Sequence, residues 1–261
     1  ITPLVRQSEI ELISEEDTWS RPYLVDFDGD GTVEILNMYD NNTGNLYTID
    51  HNGKLVKSNG FDFGTSYYCM GDFNADGKTD VITMGTTGKP DTGWEMNFST
   101  GMTGEGETSF VSEPITSLFN PKNKQIFVAD INGDGFDDLY VVGEKTNKNQ
   151  TCPVNIYIND RTGKTFSHYT GSNTVGTDKA NFRIADFNGD GKADFICYPN
   201  SKGSSVPISL HVSTNTGDNA LTSVTDGLGN HTNIKYAKLT DGQVFRRGTL
   251  KSYPFVSAIC P

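Results

Sequence analysis

The sequence predicts an all-β protein, a propeller-like array of four blades with a C-terminal β-hairpin segment appended. Three observations predict it. A nine-residue acidic pattern returns four times, strand-forming runs flank every copy, and tight-turn residues are frequent, with 28 glycines in 261 residues. Helical periodicity is nearly absent.

The four copies align without gaps. Asp26 starts DFDGDGTVE, Asp72 starts DFNADGKTD, Asp130 starts DINGDGFDD and Asp186 starts DFNGDGKAD. Their starts lie 46, 58 and 56 residues apart, the length of one four-stranded propeller blade with its loops. RPYLV, SYYCMG, QIFVA and FRIA precede the copies, and VEILNMY, DVITMG, DLYVVG and DFICYP follow them. These β-branched and aromatic runs are strand signals on both sides of a turn. A second hairpin signal recurs further on, in LYTIDHNGKL (46–55), VNIYINDRTGKTF (154–166) and ISLHVSTNTGDNAL (208–221), where Asn-Gly and Thr-Gly suit short hairpins. Each repeat reads as strand, acidic loop, strand, hairpin.

Positions one, three, five and nine of each loop carry side-chain oxygen. They are Asp26, Asp28, Asp30 and Glu34, then Asp72, Asn74, Asp76 and Asp80. The third and fourth sets are Asp130, Asn132, Asp134 and Asp138, and Asp186, Asn188, Asp190 and Asp194. Such hard donors suit calcium or magnesium and not zinc or copper. Position six is always glycine (Gly31, Gly77, Gly135, Gly191), as a sharply turned loop with positive φ requires. Position seven varies among Thr32, Lys78, Phe136 and Lys192, as expected if only its backbone carbonyl is a ligand. The loop starts like an EF-hand but closes at position nine, with no flanking helix. Solvated hairpin turns are the plain alternative for a single copy. Four copies in register make it a poor one, because adjacent carboxylates repel without a cation. The expectation is calcium, about four ions. They would move the net charge from −12 to about −4.

That net charge argues against nucleic acid and anionic membrane surfaces, and no apolar run is long enough to be a membrane-spanning segment. Cys69, Cys152, Cys197 and Cys260 form no CxxC pair and the four histidines are scattered, so no zinc site is expected. The cysteines read equally as disulfides or as buried thiols. No GxSxG, HExxH or P-loop occurs, and the regular carboxylates are explained as ligands, so no enzyme is expected. Trp19 and Trp94 read as core between blades, with sugar stacking as the alternative. The opening ITPLV has neither an initiator Met nor a signal-like start, so the chain reads as a processed or trimmed product.

Over residues 21–218 the loops resemble the FG-GAP/VCBS repeats of integrin-like propellers. The tail differs. Thr225–Asn230, Tyr236, Leu239–Asp241, Gly248 and Tyr253–Phe255 resemble the segment that leads out of the repeats in SpvB-type toxins and the B component of insecticidal toxin complexes. Gly229, Thr232 and Tyr236 resemble part of an Rhs/YD unit, but Ala237 stands where that unit has Asp. The resemblance implies a propeller that gates or docks within a larger secreted or cell-surface, toxin-like, Rhs-associated protein.

The expected organisation is an N-terminal strand segment at 1–20, four calcium-loop blades at 21–218, and a hairpin segment at 219–261 that packs as a degenerate blade or opens an Rhs-like region. The expected function is a non-catalytic binding or scaffold module whose partner is a protein or the remainder of the parent chain. The alternative is a lectin-like propeller that binds glycans directly.

Overall fold

The computed structural model describes residues 20–39, 42–85, 93–102, 107–143, 151–176, 180–199, 207–214, 221–237 and 243. Every regular element among them is a strand. The first blade is β1 (Ser20–Val25), β2 (Glu34–Tyr39), β3 (Thr43–Ile49) and β4 (Leu55–Asp62). The second is β5 (Tyr68–Gly71), β6 (Asp80–Thr83), β7 (Trp94–Met102) and β8 (Thr108–Ile115). The third is β9 (Gln125–Ala129), β10 (Asp138–Val142), β11 (Thr151–Asn159) and β12 (Phe166–Gly176). The fourth has β13 (Ala180–Ala185), β14 (Asp194–Pro199) and β15 (Ser209–His211). Each is an antiparallel meander in sequence order. The arrangement is a four-blade β-propeller.

Each acidic loop joins the first strand of its blade to the second, with position nine as the first residue of that second strand. Short strands form there because alternating residues can face two neighbouring blades. Leu36 and Met38 of the first blade pack with Val81 of the second. Ile82, Met84 and Met96 of the second pack with Leu139, Val141 and Tyr157 of the third. Tyr140, Val142 and Val154 of the third pack with Phe182, Phe195 and Cys197 of the fourth. Three seams therefore hold the apolar cores. The first strands surround a cavity of about 600 Å³, to which Tyr23, Tyr68, Ile126 and Ile184 contribute.

Cys69, Cys152 and Cys197 are buried inside these seams; Cys260 lies outside the described residues. Trp94 is 1% exposed and meets Phe119 edge-on, so it is core and offers no face to a sugar. Trp19 and nearly all of the 1–20 segment lie outside the described residues.

The tail differs from expectation. A turn forms at Asp226–Asn230, with Gly229 at φ 84° and Asp226 Oδ1 accepting the N–H groups of Leu228 and Asn230. It joins β16 (Ser223–Thr225) to β17 (His231–Asn233), so the strand is far shorter than HTNIKYAKL suggests. Every residue from 221 to 233 is exposed. This hairpin buries nothing against the blades; the rest of the 219–261 segment, residues 234–237 and Gln243 apart, lies outside the described residues, and with it the expectation of a degenerate blade. No helix among the described residues is long and apolar enough to cross a membrane.

Candidate metal loops

Each loop is folded by its own carboxylates. Asp26 Oδ1 accepts the N–H of Gly29 at 2.7 Å and Oδ2 that of Gly31 at 3.0 Å. Asp130 holds Gly133 and Gly135, and Asp186 holds Gly189 and Gly191, in the same way. Position three accepts from position five at Asp28, Asn74 and Asn132. Position five accepts from position seven in all four loops. These nested turns need positive φ at position six, and Gly31, Gly77, Gly135 and Gly191 lie at φ 80–87°.

Position nine has a second duty. Asp80, Asp138 and Asp194 each take the N–H of position two on Oδ2 and the N–H of a residue at or just after the third strand on Oδ1. All three are fully buried. Glu34, in the first blade, accepts the N–H of Phe27 on Oε2 at 2.9 Å. Burial pushes the Glu34, Asp80 and Asp138 carboxyls up to about 7, and the neighbouring loop acids add to that. A cation placed among these groups would relieve the repulsion.

The loops are not equivalent as metal sites. In the first, one oxygen from each of Asp26, Asp28, Asp30 and Glu34 comes within 4.8 Å of all the others. Among the described residues it is the one such cluster of acids. Each of the other loops has Asn at position three, and cations occupy two of them. Lys78 Nζ sits 3.0 Å from Asp76, holding that carboxyl below its ordinary value although burial works the other way. Arg161 Nε, from the turn between β11 and β12, sits 3.1 Å from Asp134.

At position seven the side chain matters as well as the backbone. Lys192 is 8% exposed, and its aliphatic chain lies within 3.1 Å of where a Cβ on Gly133 would stand, in the preceding blade's loop. Lys78 lies against Gly29 in the same manner. The small residue at position four admits the lysine stem of the next blade.

A further set of residues locks blade to blade and escaped the sequence reading. Ser99 Oγ donates to Phe27 O at 2.6 Å, Asn159 Nδ2 to Phe73 O at 2.8 Å, and Ser213 Oγ to Ile131 O at 2.9 Å. Their N–H groups are the ones held by the position-nine carboxylates. Position eight also reaches back: the N–H groups of Thr79, Asp137 and Ala193 donate to the carbonyls of Asp26, Asp72 and Asp130. Ser99, Asn159 and Ser213 stand 19, 21 and 19 residues after position nine, each with another Ser or Asn (Asn97, Asn155, Ser209) close by in the third strand.

The repeat geometry agrees with a family match. The FG-GAP-like repeat model matches residues 26–83, 72–141 and 130–197. The chain belongs to the FG-GAP-like repeat family. Each matched FG-GAP-like unit runs from one acidic loop through the next and into the strand that follows it. Among solved structures, a lectin from Agrocybe aegerita that specifically recognises non-reducing terminal N-acetylglucosamine matches at 20% identity and a TM-score of 0.48, over 74% of this chain and 52% of the lectin. A protein from Lactobacillus plantarum matches at 13% identity and a TM-score of 0.30, over 77% of this chain and 53% of that one. The chain spans about half the length of each. No curated protein matches it.

Proposed function

We propose that the chain is a non-catalytic, calcium-binding propeller that serves as a binding or scaffold module in a larger secreted or surface protein. The observation that carries the reading is the first loop, where one oxygen from each of four acidic side chains comes within 4.8 Å of all the others. Oxygen ligands of that number and charge are what calcium takes, and weaker sites of this kind suit the millimolar calcium found outside cells. Asp26, Asp28, Asp30 and Glu34 would hold the ion. The other loops would hold theirs with three carboxylates and an Asn, after Lys78 and Arg161 turn aside. Calcium here supplies charge neutralisation and rigidity, not a reaction.

The turn at Thr225–Asn230, fully exposed, supports placing the module in a toxin-like parent, as its sequence resemblance implies. The parent's partner would then be a protein, or the rest of that parent.

Calorimetric titration and elemental analysis of the full chain test the metal reading. Bound calcium is expected, with one ion lost from Asp28→Ala and the remainder kept. A chain with no bound metal, whose melting temperature is the same in chelator and in millimolar calcium, would defeat it.

A further inference from the structure

The third loop has a cation brought onto it from another part of its blade. Arg161 Nε lies 3.1 Å from Asp134 Oδ2, 27 residues away in the chain. Asp134 stands at position five of that loop. Under the guanidinium its side chain is only 3% exposed, whereas that of the arginine is 53% exposed. The second loop has a looser version. Its Lys78 comes from the loop itself, two residues after Asp76, and leaves that carboxylate 35% exposed.

The turn that carries Arg161 is itself fixed. Asn159 Oδ1 accepts the N–H groups of Arg161 at 3.1 Å and of Gly163 at 3.0 Å, and Arg161 stands at φ 71°, a conformation that costs an L-residue. Asn159 is held in turn by Asp138, position nine of the same loop, and by Phe73 O of the second blade. Lys164 Nζ pairs with Glu113 Oε2 at 2.6 Å, which pins the turn to the second blade independently of the guanidinium. The turn thus reaches two oxygen donors of the third loop, Asp138 through Asn159 and Asp134 through Arg161. Gly101 and Asn215 stand two residues after Ser99 and Ser213, as Arg161 does after Asn159. Neither the second nor the fourth blade has a cation at the matching place.

We propose that Arg161 is a tethered stand-in cation for the third loop. It neutralises Asp134 while calcium is low and leaves when calcium enters, so the third loop fills at a higher calcium concentration than the first. This role rests on the calcium reading of the loops given above. A guanidinium and a divalent ion on one carboxylate repel each other, so calcium has to displace the arginine. The exposed guanidinium can swing into water while Asn159 and Lys164 keep the turn in place. The first loop offers four acids within 4.8 Å of one another, and the third only three, with Asn132 at position three. Fewer charges and a resident cation both weaken the third site.

Calcium titration calorimetry on the full chain tests this. Asp28→Ala marks the first-loop ion by removing it, and Asp134→Asn, which keeps the shape of the side chain, marks the third-loop ion by weakening it. The third-loop ion is expected to be the weaker of the two in the wild type. Arg161→Ala should tighten it about fivefold, the size of an ion pair given up on entry, and leave the first-loop affinity unchanged. Arg161→Lys keeps the charge and should stay near the wild type. In the Asp134→Asn background, Arg161→Ala should change nothing further. Arg161→Ala should also lower the melting temperature in chelator, where Asp134 loses its cation, but not in saturating calcium. A third-loop affinity that is unchanged or weaker in Arg161→Ala, with the wild type still binding calcium, would overturn the stand-in role alone. A wild type and variants that all bind no calcium would overturn it together with the metal reading.

Discussion

Gly77 lies at φ 82° with open space where a Cβ would go, so its substitution is a purely backbone matter. Gly77→Ala should cost about 1–2 kcal/mol, the penalty of a left-handed L-residue. Ala75, at position four of the same loop, already stands at φ 59°, where Gly29, Gly133 and Gly189 occupy the matching place. Ala75→Gly should therefore stabilise by about 0.5 kcal/mol, the relief being partly offset by glycine's larger entropy loss. Urea unfolding of both variants checks the pair, and opposite signs are expected. Lys192 illustrates the same scale from the side chain. A variable position suggested that only its backbone matters, yet its stem is buried against the preceding loop. Lys192→Ala should lower stability measurably by lost packing, whereas Lys54→Ala, at an exposed turn, should not.

At the scale of one blade, the position-nine carboxylate ties three segments together. Asp138 holds Ile131 of the loop and Asn159 at the end of β11, from the start of β10. Asp138→Ala strands two buried N–H groups, each costing about 1–3 kcal/mol, so a loss of about 2–6 kcal/mol in urea unfolding is expected even in chelator. A purely metal-ligating residue would show its loss only in calcium, which makes chelator the informative condition. Between blades, Asn159→Ala removes the donors to Phe73 O at 2.8 Å and Asp137 O at 3.1 Å. Hydrogen exchange should then quicken at the seam of the second and third blades before it does elsewhere. The strands themselves were legible from their flanking runs, because β-branched and aromatic residues on both sides of a turn leave few alternatives. Ser99, Asn159 and Ser213 were not legible. One polar residue per blade looks like surface until a neighbouring carbonyl is placed above it.

For the whole molecule, the raised carboxyls set a pH dependence. Glu34, Asp80 and Asp138 titrate near 7 when folded, against about 4 when unfolded. The folded chain thus binds more protons between pH 4 and pH 7, and stability falls as pH rises through that window. In chelator the melting temperature should be higher at pH 5 than at pH 8. If the loops take calcium as proposed, the ion would compete with those protons for the folded state, so its stabilising effect should grow over the same range. Melts at both pH values, with and without calcium, give the comparison; a calcium gain that is larger at pH 5 would contradict it. The ends of the array belong to this scale as well. The last blade repeats the same residue classes as the first three, yet its apolar positions face solvent because no described blade follows it.

The repeat, its spacing and its oxygen donors are local properties, so the sequence alone determined the four loops, their glycine turns, the strands on either side and the all-β class. It could not determine how strongly the four loops differ. Asp134 meets Arg161, 27 residues away, and only the folded hairpin brings that guanidinium to the loop. Nor could it bury Lys192, or tell that the C-terminal hairpin covers nothing. Those outcomes depend on which blade lies against which, and contacts between blades join residues some 50 to 90 positions apart. A pattern within one repeat carries no record of its neighbour; packing alone turns the same position from a buried Phe73 into an exposed Phe187.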